Sequence, residues 1–531
     1  VNFRIQNRLL FNLICLDNER RDLFKQQLDQ TVMIEYLSPN TNKPLHLGHV
    51  RNGSLGMALS NILVKVGYNV VKANLINDRG IHICKAMLAW QRWGKGQTPE
   101  STGKKGDHFV GEFYVMFAQE FENQLRTLIL EDPEFTSESE EELSKLMKQK
   151  SDDLFLETEI GRAAQDMLIK WEARDPEILK VWEMMNQWVY VGFRESYDNY
   201  GFSFNRFYYE SQTYLLGRDI VQNGLAKGVF VVDEKGFVVC MLPEDKFGLE
   251  SVGSQRYTTV LRSDGTSVYM TQDIGTAKLK YEDYNLDRSI HIVGSEQNYH
   301  FKCLFYILSL LGFGWASGCY HLSYGMVYLP HGRMKSREGT AVDADNLLKE
   351  ISKLAEVSVR EHNVGLPEEE IQSRAKNIAL GAIKYYLLRF SNSVDIHFDP
   401  EASISFEGNT GPYCQYAYAR ACTIMDKAAD LDLVDKPDFG LLGNFEERVL
   451  AQKMLDFSEC VKASAEEMNP AKVANYVFEL AQNFSSFYEK HTIILPDDLP
   501  LTAARLALVK AMSQILEQCL DLLGIPVLRK M

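Results

Sequence analysis

Two histidines three residues apart, His46 and His49, enclose Leu47 and Gly48 where an apolar stretch gives way to a helical pattern. A helix start presents unpaired N–H groups and a partial positive charge, so it attracts phosphate. Imidazoles at i and i+3 face one site and can donate hydrogen bonds to phosphate oxygens. Gly48 between them removes a side chain, which lets a flat base approach the backbone. H-x-G-H taken alone is also the pattern of two histidines capping a helix. Its place behind a strand, with Lys43 upstream, points instead to a nucleotide site. A second stretch, Gly332-Arg333-Met334-Lys335-Ser336-Arg337-Glu338-Gly339-Thr340, puts three cations in a loop bracketed by glycines. Such a loop suits the charge that develops on a pyrophosphate leaving group. Standing alone it reads as a solvated basic turn.

The elements that must position these groups are legible around them. Thr31 to Leu37 is short, apolar and β-branched at its start, a buried-strand pattern broken by Ser38-Pro39-Asn40. A helix is expected from Leu47 to Val66, with Leu55, Leu59, Ile62, Leu63 and Val66 on one face and Gly67 ending it. A second strand, Asn69 to Ile76, completes a βαβ unit and implies a parallel sheet. About Trp90 to Tyr200 is helical and acidic and reads as an insertion, its Glu138 to Glu142 charge run a solvated face. Residues 225–260 form a small β element around the hairpin chemistry of Asp233 to Gly236. Sheet character returns at Ser289 to Val293. Gly294 then opens a helix through Leu311, a strand-to-helix turn where ligands usually sit. Another apolar strand is expected near Tyr324 to Leu329, and from Ala341 onward the pattern is helical, with breaks at Lys436-Pro437 and Leu495 to Pro500. A charged helix is expected over Asp17 to Gln30.

The chain has 531 residues, 45% of them hydrophobic and 24% charged, which suits a soluble protein of two or three domains. No run of 18 apolar residues occurs, so no membrane span is expected. Nine cysteines without a C-x-x-C pair argue against a disulfide framework and a zinc knuckle, and fit a reducing cytoplasm. The net charge of -15 disfavours nucleic acid on its own, yet a large acidic protein can carry a local basic groove. Residues 401–531 hold 12 Lys and Arg against 19 Asp and Glu, so counting supports no basic stripe there.

His46-Leu47-Gly48-His49 resembles the HIGH signature of class I aminoacyl-tRNA synthetases, and Ser38-Pro39-Asn40 through Asn52 resembles the arginyl-tRNA synthetases in particular. The basic loop resembles their KMSKS segment, imperfectly: Arg333 takes the first Lys position, Lys335 replaces Ser and Ser336 replaces the second Lys. Which of Arg333, Lys335 and Arg337 touches phosphate stays open. The resemblance implies a catalytic role for Lys43, His46, His49 and Lys335. It places Gly48, Gly294, Met326, Val327, Arg333, Lys335 and Ser336 with the histidines at ATP. Tyr269 and Asp273 resemble the segment that meets the substrate side chain, and Tyr208 to Gln212 the segment that supplies a second carboxylate, Glu210. The combination suits a guanidinium, a planar cation with five donors that carboxylates pair and an aromatic ring stacks upon. By the same resemblance Gln297 contacts the amino acid, and Glu35 and Asn40 lie near its α-amino group. Glu407 to Arg420 resembles the opening of the anticodon-binding helices, which makes Tyr413, Tyr416 and Arg420 candidates for tRNA.

The expected fold is α/β: a Rossmann-like parallel-sheet catalytic domain over 29–345, with a helical insertion at 90–200 and a β insertion at 225–260. A connective region at 346–400 and an all-α anticodon-binding bundle at 401–531 follow. Residues 1–28 read as a linker and the remnant of a preceding domain, since Asn2 to Ile5 resembles the last strand of the family's N-terminal domain; the chain starts without Met, as if inside a longer product. The implied activity is arginine–tRNA ligation with L-arginine, ATP carrying Mg2+, and tRNA(Arg) as partners. A cytoplasmic monomer with no protein-held metal is expected. The alternatives are a class I synthetase of another specificity, a nucleotidylyltransferase, against which the long helical C-terminus speaks, and a silent tRNA-binding paralogue.

Overall fold

The computed structural model describes residues 7–15, 27–132, 139–243, 247, 257–329, 342–363, 365–434 and 436–531. In chain order the strands are β1 (Thr31–Glu35), β2 (Asn69–Ile76), β3 (Arg206–Tyr209), β4 (Val231–Val232), β5 (Val238–Met241), β6 (Tyr257–Leu261), β7 (Arg288–Gly294), β8 (Cys319–Tyr324), β9 (Val327–Tyr328) and β10 (Ile396–His397). Five of them form an all-parallel sheet in the order β3-β2-β1-β7-β8. The chain leaves β1 toward β2 and β3, then returns to β1's other side as β7. The carboxyl ends of β1 and β7 therefore border the switch point, where open parallel sheets bind ligands. β1 is short and apolar because it is central: Val32, Met33 and Ile34 are fully buried.

The helix Leu47–Lys65 connects β1 to β2. Its expected apolar face understates its burial, because the C-terminal helices cover the side that would otherwise meet water. Gly56 lets it lie close on the sheet: a Cβ there would come within 2.2 Å of the Tyr36 ring. Two polar residues on this helix act as ties. Arg51, fully buried, donates Nη1 to the Gly325 and Met326 carbonyls (2.6 and 3.2 Å) and Nη2 to those of Asn392 and Val394 (3.0 and 2.8 Å). Asn52 accepts from the Leu37 N–H (2.6 Å) and donates to the Ile292 carbonyl (2.8 Å), linking the ends of β1 and β7. The first of these holds the chain where it is least comfortable, since Leu37 and Ser38 sit at φ 70° and 42° directly after β1.

The insertion is helical, with Gly106–Glu131, Glu159–Glu172 and Pro176–Tyr200 packed through Phe109, Phe113, Trp171, Trp188 and Phe193. Glu140, Glu141 and Glu142 are exposed in the first turn of a helix capped by Ser139, where the helix dipole favours them. β4, β5 and β6 make a separate antiparallel sheet, with Gly236 at φ 86° in the turn that Asp233 caps.

Two expectations change. The apolar stretch from Tyr324 to Leu329 is not one strand: β8 ends at Tyr324, Gly325 and Met326 break the chain, and β9 pairs with β10 outside the main sheet. Arg51 holds that break by taking both of its carbonyls. The charged helix expected over Asp17 to Gln30 lies mostly outside the described residues, and its end is not helical, Leu28 N–H donating to the Gly67 carbonyl (2.8 Å). A helix does occur earlier, at Asn7–Cys15, with Leu10, Phe11 and Ile14 buried in the main core. The C-terminal helices include Gly411–Lys427, Ala471–Lys490 and Leu499–Leu522. The last is long and apolar enough to cross a membrane by length and composition, and 67% of its most apolar window is buried inside the protein.

Candidate active site

The two histidines do share one site. His46 is the N-cap of the helix Leu47–Lys65, and the His46 and His49 rings lie 3.8 Å apart between centroids. His46 N–H donates to His49 Nδ1 (3.1 Å). That bond leaves the His49 proton on Nε2, so His49 offers an N–H donor at its outer edge. Burial, reinforced by Lys43, lowers His46 to about 4 despite Asp343, and burial with His46 and Lys43 holds His49 well below the ordinary range. Both rings are therefore neutral at pH 7 and act as dipolar donors. Gly48 faces open space except for the His46 ring, which a Cβ would meet at 3.1 Å. Lys43 is exposed upstream, its ammonium made more acidic by partial burial.

The chain returns to this helix after residues 330–341. His46 bridges Asp343 in antiparallel fashion, Leu47 N–H donating to the Val342 carbonyl (2.8 Å) and Ala344 N–H to that of Leu45 (2.9 Å). Met326, of the ATP-side candidates, is anchored by its N–H to Asp395 Oδ1 (2.7 Å), and Val327 begins β9. Gly294 closes β7. Arg333, Lys335, Ser336 and Arg337 lie outside the described residues.

The second half of the site is a group of carboxylates. Tyr269 opens the helix Tyr269–Tyr284 and is 74% exposed; Asp273 follows one turn later. Asp273 accepts from His300 Nε2 (2.5 Å), which reaches it from the helix after β7. Glu210, at the end of β3, is buried, and Asp273 lies close enough to act on its charge. Burial pushes Glu210 up to about 7; Arg79 opposes the shift while Asp78 and Asp273 add to it. Gln272 ties the group together: with its amide turned to match its neighbours, it donates to Glu210 Oε1 (2.9 Å) and accepts from Arg79 Nη1 (3.0 Å). The Arg79 guanidinium stacks 4.1 Å over the Tyr214 ring, donates to Glu172 (2.8 Å) and lies 3.9 Å from Glu210. Asp78 accepts from Ser211 N–H and hydroxyl (2.8 and 2.7 Å) and from the Tyr190 hydroxyl (2.8 Å), which fixes the residue after Glu210.

The amino-group candidates separate. Asn40 is exposed at the mouth of β1 and bridges Asn77. Glu35 is turned inward: one oxygen takes the Lys280 ammonium and the other lies 3.3 Å from His291 Nδ1. Although burial alone would raise it, these partners lower Glu35 to about 2, so it is a buried anion already matched by the Lys280 ammonium. Gln297 is exposed in the turn after β7.

A family model described as tRNA synthetases class I (R), catalytic domain, matches residues 13–399, and one described as DALR anticodon binding domain matches 414–531. The chain belongs to the class I arginyl-tRNA synthetases. It is 45% identical over 526 residues to the arginine–tRNA ligase of Bacteroides thetaiotaomicron, covering 98% of this chain and 84% of that protein. It is 47% identical over 507 residues to that of Parabacteroides distasonis, covering 94% and 80%. The solved Thermus thermophilus arginyl-tRNA synthetase superposes with a TM-score of 0.75 at 25% identity, covering all of this chain and 87% of that one. As an arginyl-tRNA synthetase the chain is an ATP-dependent aminoacyl-tRNA ligase.

In this synthetase the three C-terminal candidates behave differently. Tyr413 faces the helical bundle, its hydroxyl 3.1 Å from Ser485 Oγ and its ring against Phe478. Tyr416 is exposed, and Arg420 lies 4.7 Å from the Tyr416 and Tyr488 rings, between two aromatic faces. Asp78, Arg79, Gln272 and His300 are not singled out by sequence reasoning. For Asp78 and Arg79 a signal existed: they come just after Asn77, in the turn that leaves β2, the same carboxyl-end position that picked out Gly294. Gln272 and His300 carry no such mark, since each acts through a partner distant in sequence.

Proposed function

We propose that this synthetase activates L-arginine at the ends of β1 and β7, with ATP at His46 and His49 and the guanidinium between Glu210 and Asp273. The supporting observation is that the neutral imidazoles follow β1, Glu210 follows β3, and Asp273 is held by His300 from the helix after β7, so these groups are set by the carboxyl ends of strands in one parallel sheet. The arginine carboxylate attacks the α-phosphate, giving arginyl-adenylate and pyrophosphate; the terminal ribose hydroxyl of tRNA(Arg) then attacks the carbonyl. His46 and His49 donate to phosphate oxygens as charge shifts toward the leaving group, and Lys43 and Lys335 supply positive charge. Gly48, Gly294, Met326 and Val327 hold the adenosine, with Arg333 and Ser336 on the phosphate side. Tyr269 lies beside the arginine side chain, while Asn40 and Gln297 meet its amino-acid end. Glu35 acts from behind the wall, through Lys280 and His291. Magnesium arrives with the ATP phosphates, since Asp343, the carboxylate that acts on His46, is engaged by His108, and Asp345 by Lys105. Tyr416 and Arg420 contact tRNA, and Tyr413 supports them from inside the bundle. The enzyme works as a cytoplasmic monomer, which fits its eight free cysteines among the described residues.

ATP–pyrophosphate exchange with each amino acid, with and without tRNA(Arg), tests this reading. Exchange is expected with arginine alone. Equal exchange with a second amino acid removes the specificity assignment, and none under any condition removes the catalytic one.

A further inference from the structure

A cluster of charge joins the helical insertion to the backbone beside His46. Lys105 precedes the helix Gly106–Glu131, and its ammonium donates to Asp107 Oδ2 (3.1 Å), Ser196 Oγ (2.5 Å) and Asp345 Oδ2 (2.6 Å). His108 Nε2 lies 3.2 Å from both Asp343 Oδ2 and Asp345 Oδ2. A second insertion helix, Pro176–Tyr200, adds the Ser196 hydroxyl to Asp345 Oδ1 (2.9 Å) and the Tyr200 hydroxyl to the Ala344 carbonyl (2.7 Å). Asp107 is fully buried against Gly192, where a Cβ would lie 2.4 Å from Oδ1. Two helices of the insertion thus grip residues 343–345, and the same segment carries the backbone bridge to Leu45, His46 and Leu47.

Asp107, Asp343 and Asp345 need cations, and Lys105 with a protonated His108 supplies them. Burial opposes charge on His108, but the Asp343 and Asp345 carboxylates 3.2 Å from its Nε2 prevail and push it up to about 10. The same partners bring Asp345 down to about 2 against the effect of its burial. Groups of this kind give little net stability over apolar packing, and their contribution is fixed geometry. Here the geometry fixed is that of the backbone paired with His46.

We propose that Lys105 and His108 are positioning residues for adenylate formation, acting on His46 through residues 342–345. The inference rests on the reading of His46 and His49 as phosphate donors. It also carries an electrostatic consequence. His46 is faced by Lys43 and His49 on its own segment and by Asp343 from the returning chain. His108 neutralises Asp343; without that cation Asp343 pulls the His46 proton affinity upward, and the imidazole gains charge at a higher pH.

The test is exchange by the full chain with tRNA(Arg) present, ATP and arginine varied separately from pH 4 to 8 so that the His46 limb near 4 is read, alongside melting temperature. Lys105→Met and His108→Gln are each expected to lower kcat/KM for ATP about five- to tenfold with the arginine KM within about twofold. Lys105→Arg is expected to restore most of the loss, and His108→Gln to move the acid limb of the ATP profile upward. Arginine and ATP parameters that fall together in step with melting temperature, or an unmoved acid limb, overturn the proposal. His46→Asn run beside them separates the two failures. If His46→Asn is fully active, the phosphate-donor reading is wrong; if it is impaired while Lys105→Met and His108→Gln are normal, only the positioning inference falls.

Discussion

Around His46 and His49, burial and Lys43 drive protons off, so in the proposed site the phosphates of ATP would meet neutral N–H donors. Around Glu210 the opposite holds: Glu172 and Glu210 pair with one resident guanidinium, Arg79, while burial, with Asp78 and Asp273 adding negative charge, pushes Glu210 toward holding a proton. The two ends of one site thus treat charge by different means. Neutral donors at a helix start stabilise charge that shifts during reaction without binding the ground state as strongly as cations would. A carboxylate pair instead makes a strong ground-state demand for a cation of fixed shape, and such a site rejects analogues that leave its groups unpaired. Selectivity is expected to reside at one end and rate at the other.

The sharpest break of this contrast is Asp273→Asn, which keeps shape and removes charge. A desolvated charged hydrogen bond is worth about 2 kcal/mol at its low end, so kcat/KM for arginine is expected to fall about 30-fold. The ATP KM should move far less. Unchanged arginine kinetics, or a defect confined to ATP, ends the division of labour. His46→Asn and His49→Asn come next: exchange is expected to drop about tenfold, or about 1.4 kcal/mol of transition-state stabilisation, with little change in melting temperature. Full activity in both variants argues that the histidines only cap the helix.

A pH series sharpens the contrast without mutation. Glu210 lies at about 7, so it is mostly charged at pH 8 and mostly neutral at pH 6.5. From the charged fraction alone, kcat/KM for arginine is expected to fall about fourfold over that interval. His46 lies near 4, so ATP parameters at saturating arginine should stay level over the same range. The arginine inflection should vanish in Glu210→Gln; if it persists there, another group titrates. The smallest effect is expected outside the catalytic sheet. Arg420→Ala should weaken tRNA binding about threefold at moderate salt, through loss of one stacked cation and one phosphate partner, and leave arginine kinetics intact. An unchanged dissociation constant places the tRNA contact elsewhere.

How far the sequence revealed the molecule depended on the distance over which each group acts. β1, the helix Leu47–Lys65 and β2 declare themselves by local periodicity, and His46, Gly48 and His49 by spacing on one helix turn. Glu210, Asp273 and Tyr269 come only through resemblance, since nothing local tells a clamp carboxylate from a surface one. The inward turn of Glu35 onto Lys280 and His291 is invisible in sequence, because those partners lie 245 and 256 residues away. His300 and Gln272 escape for the same reason. Tyr413 and Tyr416 sit three residues apart on one helix, yet only packing tells that one faces Ser485 and the other faces water.

Arg51 carries a consequence for the order in which the enzyme comes into being. Two of the four carbonyls that hold its buried guanidinium belong to Asn392 and Val394, more than 340 residues later in the chain. An unpaired buried guanidinium is costly, and bulky wedges of sequence must be synthesised before these partners exist. On the ribosome, at about 5–20 residues per second, that wait lasts on the order of 20 to 70 s. For most of it the histidine helix lacks all four partners of its only fully buried charge, since Gly325 and Met326 themselves come 274 and 275 residues after Arg51, and half of them are still missing after that. The proposed nucleotide site is thereby expected to reach its final form only after the segment that leads into the C-terminal helices has been made.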